Sequence, residues 1–548
     1  MAHALAGKPV QEQDIIDVQT IVDAYFDNIP DMTNPTQLVS FGTSGHRGTS
    51  VDGTFTDLHV AAITQAICDG RKQFGATGPI FVGQDTHALS QPALVTVLEV
   101  LAGNGVTAMV DCDMAFVPTP SVSRAIIRYN EEHDDKADGI IITPSHNPPD
   151  NGGIKYNTII GGPADTVVTK WIEMRANGYL TAYCESEDFK RISIDNIEPT
   201  AQVPYDYKGL YVEELGDVIN MEAIKAAGPK VLVDTLGGSG ASYWNAIKER
   251  YGLDLTIIHD DYDPTFSFMT YDHDGKVRMD CSSTYVMASV INRIGDFDLA
   301  VGNDPDYDLY GIVVSSGLIS ANIFLTLAAR YLFTTRGWKN KGVGKTVVCT
   351  TMIDKWAADA ETPVFEVPVG FKYFSQLLFD GTIGIGGEES AGASFLKKDG
   401  TVWTTDKDGM IMALLSMEIM AVMGKSELKM TDEFVEEFGN PSFGRIDAPC
   451  KKEQKQILKQ MSAELITATT VDGDPITNIR TTSLYNDMPI DGVRVETDKG
   501  WFVARPSGTE DLYKIYGESY KGDLGLVALL TAGEEIVNAA LNGTIETE

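Results

Sequence analysis

One serine stands in a segment whose composition restricts the backbone on both sides. In ITPSHNPPDNGGIKYN, residues 142–157, Ser145 follows a proline and precedes His146, two more prolines and two glycines. Prolines fix the backbone and glycines allow turns that other residues cannot make, so the segment is typical of a loop that holds one hydroxyl in place for reaction. A rigid turn with a helix-capping serine explains the same residues, and this segment alone leaves both interpretations open.

A second segment alternates acidic residues. GNDPDYDLYG, residues 302–311, carries Asp304, Asp306 and Asp308. In an extended loop such carboxylates can converge on one hard cation, Mg²⁺ or Ca²⁺, and without a cation they would repel each other. A helix–loop–helix calcium site is excluded because its sixth position would be Leu309 rather than Gly. A solvated acidic turn is the alternative, and the repulsion favours the metal interpretation.

Three further segments offer groups for a polar ligand. Glu388 and Ser390, in GGEESAG, suit a hydroxyl-rich ligand such as a sugar, although such turns are common. In ARPSGTEDLYKIY, a guanidinium fork, two hydroxyls and backbone amides could wrap a phosphate; the residues are Arg505, Ser507, Gly508 and Thr509. FGTSGHRG places His46 and Arg47 on a glycine-flanked loop, and with Lys155 they form the predicted local cations.

The elements that would position these groups are strands and helices in alternation. Short apolar runs alternate with amphipathic helical patterns, which predicts parallel sheets covered by helices. Predicted strands are residues 79–83, 107–111, 139–143, 230–234 and 345–352, and a strand–turn–strand pair covers 492–508 before a final helix. GVGKT, residues 342–346, lacks the glycine that a nucleotide phosphate loop requires and is dismissed as one. The most apolar run, residues 409–424, is too short to span a bilayer and predicts a buried helix.

Composition limits the class of partner. The chain has 548 residues and a formal net charge of −35. Such a chain repels nucleic acid and anionic membranes, so neither is an expected partner. Six dispersed cysteines form no disulfide framework, and the N-terminus has no signal-peptide core, which together favour the cytoplasm.

These segments, in this order, resemble the α-D-phosphohexomutases and, within them, the bacterial phosphoglucomutase branch. The resemblance rests on T-P-S-H-N-P-P, D-P-D-x-D, G-E-E-S-A-G and R-P-S-G-T-E and covers nearly the whole chain. It implies a heart-shaped arrangement of three related α/β units and a smaller C-terminal α+β domain around a central cleft. The expected domains are residues 1–204, 205–320, 321–438 and 439–548, which carry the serine, metal, sugar and phosphate loops respectively.

The resemblance also implies roles for individual residues. Ser145 resembles the serine that carries the phosphoryl group, and its phosphate would complete an Mg²⁺ site formed by the three aspartates. Glu388 and Ser390 resemble the residues that read the sugar hydroxyls. The remaining matches are the phosphate clamp, Arg505, Ser507, Gly508, Thr509 and Lys514, and the cations Arg47, His146 and Lys155, of which Arg47 and Lys155 are acid/base candidates.

The implied activity is that of an isomerase. It would interconvert glucose 1-phosphate and glucose 6-phosphate through a phosphoserine and glucose 1,6-bisphosphate, as a monomer or homodimer.

One departure from the family pattern leaves a second hypothesis open. The family normally has Arg and, in this branch, His after the third aspartate, where this chain has Leu309 and Tyr310. Losing a cation that stabilises the moving phosphoryl group can lower the rate by about 10²–10³. The chain is therefore expected to be either a working, slow enzyme or a catalytically impaired paralogue that binds phosphosugars as a sensor or structural protein. On the first hypothesis, Leu309→Arg with Tyr310→His is expected to raise kcat.

Overall fold

The computed structural model describes residues 2–42, 45–183, 189–424, 427–506 and 512–545. Four separate sheets follow one another along the chain, three of them mixed and the fourth antiparallel. This agrees with the expectation of three α/β units and a smaller α+β unit. We retain domain limits at residues 204, 320 and 438 as a proposal.

The first sheet contains six strands in the order β1-β5-β4-β2-β3-β6, of which β4, β2, β3 and β6 run parallel. Its elements are α1 (Val18–Asp27), β1 (His46–Thr49), α2 (Asp57–Gly70), β2 (Ile80–Gln84), α3 (Ser90–Gly103), β3 (Ala108–Asp111), α4 (Thr119–Glu132), β4 (Asp138–Ile142), β5 (Asn151–Asn157), α5 (Thr166–Tyr183) and β6 (Gln202–Tyr205). Both β2 and β4 are buried along their whole length, as their continuous apolar runs predict.

The second and third sheets repeat this plan with fewer strands, in the orders β11-β10-β9-β7-β8 and β13-β12-β14-β15. The second unit contains α6 (Tyr207–Val218), α7 (Met221–Ala227), β7 (Val231–Asp234), α8 (Ala241–Tyr251), β8 (Leu255–Ile258), α9 (Ala288–Ile291), β9 (Leu299–Asn303), β10 (Tyr310–Val314) and β11 (Gly317–Leu318). The third contains α10 (Ala321–Arg336), β12 (Gly342–Thr346), α11 (Met352–Asp359), β13 (Val364–Val367), α12 (Lys372–Phe379), β14 (Ile383–Gly387), β15 (Ala393–Phe395), α13 (Gly409–Met423) and α14 (Glu427–Phe438).

The predicted strand at residues 345–352 has the wrong bounds, because the observed strand begins three residues earlier and ends at Thr346. The strand is GVGKT itself, β12, which runs between β13 and β14. A Cβ atom on Gly342 would meet the Phe365 ring at 2.2 Å, so glycine is required where the aromatic ring crosses the strand. The strand geometry also supports dismissing this segment as a phosphate loop. Helix α13 is buried from Gly409 to Ile419, as its apolar run predicts, whereas its last turn is exposed at Val422 and Met423.

The fourth sheet is antiparallel throughout, in the order β16-β21-β20-β19-β18-β17. Its elements are β16 (Ser442–Pro449), α15 (Lys452–Lys459), β17 (Thr470–Val471), β18 (Asp474–Thr482), β19 (Pro489–Thr497), β20 (Gly500–Pro506), β21 (Leu512–Ser519) and α16 (Gly522–Ile545). The predicted strand–turn–strand pair is β19–β20, and the final helix is α16. Among the described residues, α16 is the one helix long and apolar enough to cross a membrane, yet its Leu529, Leu530 and Leu541 are buried in the core of this domain.

Candidate active site

Three loops that carry candidate residues occupy the same position in the three mixed sheets. Each loop joins a parallel strand to an antiparallel neighbour: β4 to β5, β9 to β10 and β14 to β15. Each contains a non-glycine residue with a left-handed backbone, namely Ser145, Tyr307 and Ala391. That conformation costs on the order of 1–2 kcal/mol per residue, so surrounding contacts must hold it.

The first two loops meet at the serine hydroxyl. Ser145 Oγ is buried and donates a hydrogen bond to Asp304 Oδ2 at 2.7 Å, although the two residues are 159 positions apart. Nδ1 of His146 lies 3.3 Å from the same oxygen. The structure thus brings the predicted reactive serine, its neighbouring histidine and the first predicted metal ligand into direct contact.

The three aspartates form a compact group of oxygen ligands. Asp304, Asp306 and Asp308 are each 0% exposed, and one carboxylate oxygen from each lies within 4.8 Å of the others. Thr119 Oγ1 donates to Asp306 Oδ2 at 2.6 Å, and the Leu309 amide donates to Asp304 Oδ1 at 2.9 Å. These donors fix the carboxylate orientations from outside the group.

Two lysines balance part of this negative charge. Lys155 Nζ lies 2.6 Å from Asp306 Oδ2 and 2.9 Å from Asp308 Oδ2, and Lys407 Nζ lies 2.8 Å from Asp308 Oδ2. Burial and the neighbouring carboxylates raise the pKa of Asp304 well above its usual range. For Asp306, burial acts in the same direction, but the charge of Lys155 together with the hydrogen bonds from Lys155 and Thr119 outweighs burial and lowers the pKa.

The carboxylates retain capacity for a cation. Within the described ranges, Oδ1 of Asp306 and Oδ1 of Asp308 are buried and have no hydrogen-bond partner. Buried oxygens without a donor are unfavourable, and hard divalent cations satisfy such oxygens. This donor set therefore fits a metal ion such as Mg²⁺.

The predicted cations differ in their environments. Lys155 is buried, which opposes its charge, but Asp306 and Asp308 raise its pKa. Burial lowers the pKa of His146, Asp280 opposes that decrease, and the charge of Arg47 adds to it. Arg47 itself lies on β1, directly opposite Gly153 of β5, beside the serine loop.

The expectation that His46 is a local cation is wrong. His46 begins β1 and is buried, with Nε2 3.0 Å from the Thr54 carbonyl. Burial and the adjacent His59 lower the pKa of His46 to about 3, so the ring is neutral at physiological pH. Its role is to pack inside the first domain.

The third loop contacts the metal loop through the backbone. Tyr310 N donates to the Ala391 carbonyl at 3.1 Å, and Leu309 pairs with Gly392 in an isolated bridge. Glu388 is buried, accepts a hydrogen bond from the Gly370 amide at 3.1 Å, and burial raises its pKa to about 7. Ser390 is exposed at the tip of this loop.

Leu309 and Tyr310 are core residues in this structure. Leu309 is 3% exposed and lies in an apolar cluster with Leu236, Met287 and Val313. Tyr310 is 2% exposed, and its ring meets Phe324 edge-on at 5.6 Å. Charged replacements would be buried among apolar groups, which argues against the expectation that Arg and His at these positions raise kcat.

Sequence reasoning did not identify Lys407, which supplies positive charge beside the metal loop. It lies in DKDG, between Asp406 and Asp408, immediately before α13 begins at Gly409. Its flanking acids resemble an ordinary solvated turn. The informative signal was a lysine just before a predominantly apolar helix in a chain with few cations.

The fourth loop is described only in part, because Ser507, Gly508 and Thr509 lie outside the described residues. Arg505 on β20 is directly opposite Lys514 on β21, so both side chains lie on one face of the sheet. Arg505 Nε donates to the Ile490 carbonyl at 2.9 Å. Burial raises the pKa of Glu389 in the third loop, and the charge of Arg505 is among the causes that oppose this rise. The face of the fourth sheet that carries Arg505 therefore lies near the third loop.

Family comparisons agree with this geometry along the chain. Four family models match, described as phosphoglucomutase/phosphomannomutase α/β/α domain I at residues 38–181, domain II at 210–317, domain III at 320–438, and the C-terminal domain at 447–524. The metal and sugar loops fall within the matches to domains II and III.

Individual relatives support the same assignment. The chain is 46% identical over 539 residues to a phosphoglucomutase of Komagataeibacter xylinus, covering 97% of each chain, and 26% identical to phosphoglucomutase 1 of Saccharomyces cerevisiae, covering 88% of each. Its fold matches the open form of parafusin, a phosphoglucomutase from Paramecium, with a TM-score of 0.72 and 19% identity over 94% of this chain and 96% of that one. A Burkholderia thailandensis family protein matches with a TM-score of 0.70 and 20% identity over 92% and 98%. The protein belongs to the phosphoglucomutase/phosphomannomutase family, the α-D-phosphohexomutases.

Proposed function

We propose that this protein is a phosphoglucomutase, which interconverts glucose 1-phosphate and glucose 6-phosphate through a phosphoserine at Ser145. The contact of 2.7 Å between Ser145 Oγ and Asp304 Oδ2 carries the proposal, because it places a conformationally restrained serine against three buried carboxylates. The 46% identity to a bacterial phosphoglucomutase over 97% of the chain supports glucose phosphates as the substrates.

In the proposed reaction, phospho-Ser145 transfers its phosphoryl group to the 6-hydroxyl of glucose 1-phosphate. The bond between phosphorus and Ser145 Oγ breaks as the bond to the sugar oxygen forms. The proton that leaves the sugar hydroxyl is balanced by one that Oγ gains. Arg47 and Lys155 are the proposed acid/base groups, and His146, with Nδ1 3.3 Å from Oγ, lies beside the oxygen that is protonated. Glucose 1,6-bisphosphate then changes its orientation in the site and returns its 1-phosphate to Ser145, and the product leaves as glucose 6-phosphate.

Charge and positioning are the main requirements of phosphoryl transfer. Asp304, Asp306 and Asp308, with the phosphoserine oxygen, would hold Mg²⁺, which when bound supplies positive charge to the phosphoryl group. Lys155 and Lys407 add fixed positive charge at Asp306 and Asp308. We assign to Lys407 the electrostatic role that the family arginine has at position 309.

The remaining residues would read the substrate. Glu388 and Ser390 would bind sugar hydroxyls, and Arg47 would assist near the serine loop. The non-reacting phosphate would be held by Arg505, Ser507, Gly508, Thr509 and Lys514. Recognition of phosphate mainly by charge lets one clamp accept either phosphate of the bisphosphate. We also propose that the protein is cytoplasmic, that it is a monomer or homodimer and that its ligands are phosphosugars.

A coupled assay for glucose 6-phosphate formation tests the proposal. We expect turnover of glucose 1-phosphate that requires added Mg²⁺ and is stimulated by glucose 1,6-bisphosphate. The impaired-paralogue hypothesis predicts phosphosugar binding without turnover. No observation in the described residues favours that hypothesis, because Leu309 and Tyr310 are core residues and Lys407 supplies charge.

A further inference from the structure

The backbone of Ser145 requires contacts that hold it. Its φ of 58° is a conformation that residues with a side chain adopt rarely and keep only where neighbours fix them. Such contacts occur on both sides of the serine, at Thr143 and at Asn147, and both lead to one buried group just after the end of the adjacent strand.

That group is Asp85, which follows β2 and is fully buried. Its Oδ2 accepts a hydrogen bond from Thr143 Oγ1 at 2.6 Å, and Thr143 Oγ1 in turn accepts one from the Ser145 amide at 2.8 Å. Ser90 Oγ donates to Asp85 Oδ1 at 2.5 Å and anchors the carboxylate to the start of α3. Two consecutive hydrogen bonds therefore connect a fixed carboxylate to the backbone of the reactive serine.

His87 connects the same carboxylate to the other side of the loop. Its Nδ1 lies 2.8 Å from Asp85 Oδ2, and its Nε2 lies 3.0 Å from the Asn147 carbonyl. The two ring nitrogens thus face an acceptor on either side, the Asp85 carboxylate and the Asn147 carbonyl. The ring is buried and packs against Phe266 of the second domain, with centroids 5.0 Å apart.

We propose that Asp85, Thr143 and His87 form a positioning clamp that holds the loop two residues before and two residues after Ser145 and thereby directs Oγ towards Asp304. This inference rests on the proposed function and adds positioning residues to it. Because in-line phosphoryl transfer depends on the direction of the serine oxygen, loss of the clamp should lower kcat much more than it changes KM.

The test replaces one hydroxyl by a methyl group of similar shape. In Thr143→Val, the Ser145 amide and Asp85 each lose a partner, and kcat should fall about 10- to 100-fold with KM for glucose 1-phosphate changed less than about threefold. Thr143→Ser keeps the hydroxyl and should retain at least about half of the wild-type kcat. The rate at which glucose 1,6-bisphosphate phosphorylates Ser145 in a single turnover, followed by intact mass, should fall with kcat.

Thr96→Val is the matched control. Thr96 is a buried threonine of the same domain whose Oγ1 donates to Asp57 Oδ1 at 2.6 Å, away from the serine loop. The Thr96→Val substitution should lower the melting temperature of the protein but leave kcat unchanged. His87→Gln, which keeps a donor for Asn147 but does not bridge to Asp85, should lower kcat with KM preserved and gives a second reading if Thr143→Val folds poorly.

The outcomes separate the clamp from the proposed function. A folded Thr143→Val enzyme with kcat within twofold of wild type, or an equal loss of kcat in Thr96→Val, would overturn the clamp alone. A wild-type protein that neither turns over glucose 1-phosphate nor takes up phosphate on Ser145 would overturn the proposed function and the clamp with it.

Discussion

Lys407 Nζ lies 2.8 Å from Asp308 Oδ2, although the two residues are 99 positions apart in the chain. Lys407 contacts Asp308, the last of the three aspartates. In the family pattern, an arginine normally follows this aspartate in sequence, at the position that Leu309 occupies here. Because Asp308 also contacts Lys155, the carboxylate is shared between cations from the first and third domains. The metal loop is thus supplied with positive charge from both sides.

Removing the charge of Lys407 is predicted to slow the reaction. Lys407→Met preserves the length of the side chain but removes its charge, and kcat should fall about 10²-fold or more because charge on the moving phosphoryl group loses a stabilising partner. Steady-state kinetics of the coupled assay measures the effect. Lys398→Met, at an exposed lysine of the same domain, is the control and should stay within about twofold of wild type. Equal rates for the two variants would remove Lys407 from the proposed site.

Arginine at position 309 is predicted to damage the protein. Leu309→Arg would bury a guanidinium in an apolar cluster, which should lower the free energy of unfolding by on the order of 3 kcal/mol. Urea denaturation measures this change. Leu524→Arg, at a leucine that is 87% exposed, is the control and should change stability by less than about 0.5 kcal/mol. A stable Leu309→Arg enzyme with higher kcat would instead show that the missing arginine limits the reaction.

The sequence predicts those parts of the site that directly follow an apolar strand. Ser145 comes three residues after β4 ends, so the predicted strand at residues 139–143 placed the serine at a sheet edge, and Asp304, identified by its alternation with Asp306 and Asp308, comes directly after β9. Lys407 escaped prediction because it reaches the site from an irregular segment before a helix. The bounds of β12 were predicted incorrectly because strand propensity favours the Val-rich residues that follow it. The observed strand instead contains glycines whose lack of a side chain accommodates Phe365 and Phe374. Such packing between distant residues is not visible in local sequence.

Two buried histidines predict how stability depends on pH. The rings of His46 and His59 stack with centroids 5.3 Å apart, and burial lowers their pKa values to about 3 and about 4. Both are neutral in the folded state, whereas the unfolded chain binds protons below a pKa of about 6.5. Each neutral histidine therefore contributes fully to the free energy of unfolding above about pH 6.5, and this contribution is lost as the pH falls towards 4. The loss is about 2 kcal/mol per histidine between pH 7 and pH 5.

His59→Gln tests this dependence because it removes one titrating ring while retaining an amide that can donate to the Gln37 carbonyl, the contact that His59 Nε2 makes at 2.8 Å. Urea denaturation at pH 7 and pH 5 should show a smaller loss of stability in the variant than in the wild type. If the variant loses stability as steeply as the wild type, the buried histidines do not account for the acid sensitivity.

Glu388 is predicted to make substrate binding dependent on pH. Burial raises its pKa to about 7, so its carboxylate, which accepts hydrogen bonds from sugar hydroxyls in the proposed site, is increasingly protonated below that pH. KM for glucose 1-phosphate should therefore rise as the pH falls from 8 to 6. In Glu388→Gln, KM should be raised at every pH and should vary less across this range. A variant whose pH profile matches the wild type would assign the titration to the substrate phosphate instead.

The covalent state of Ser145 tests the phosphoserine mechanism directly. Wild-type protein and Ser316→Ala, a control at an exposed serine, are incubated with glucose 1,6-bisphosphate and Mg²⁺ beside Ser145→Ala, and each is examined by intact-mass spectrometry and by turnover of glucose 1-phosphate. We predict that the first two gain one phosphoryl group and turn over substrate, whereas Ser145→Ala does neither. A Ser145→Ala enzyme that retains turnover would contradict the phosphoserine mechanism.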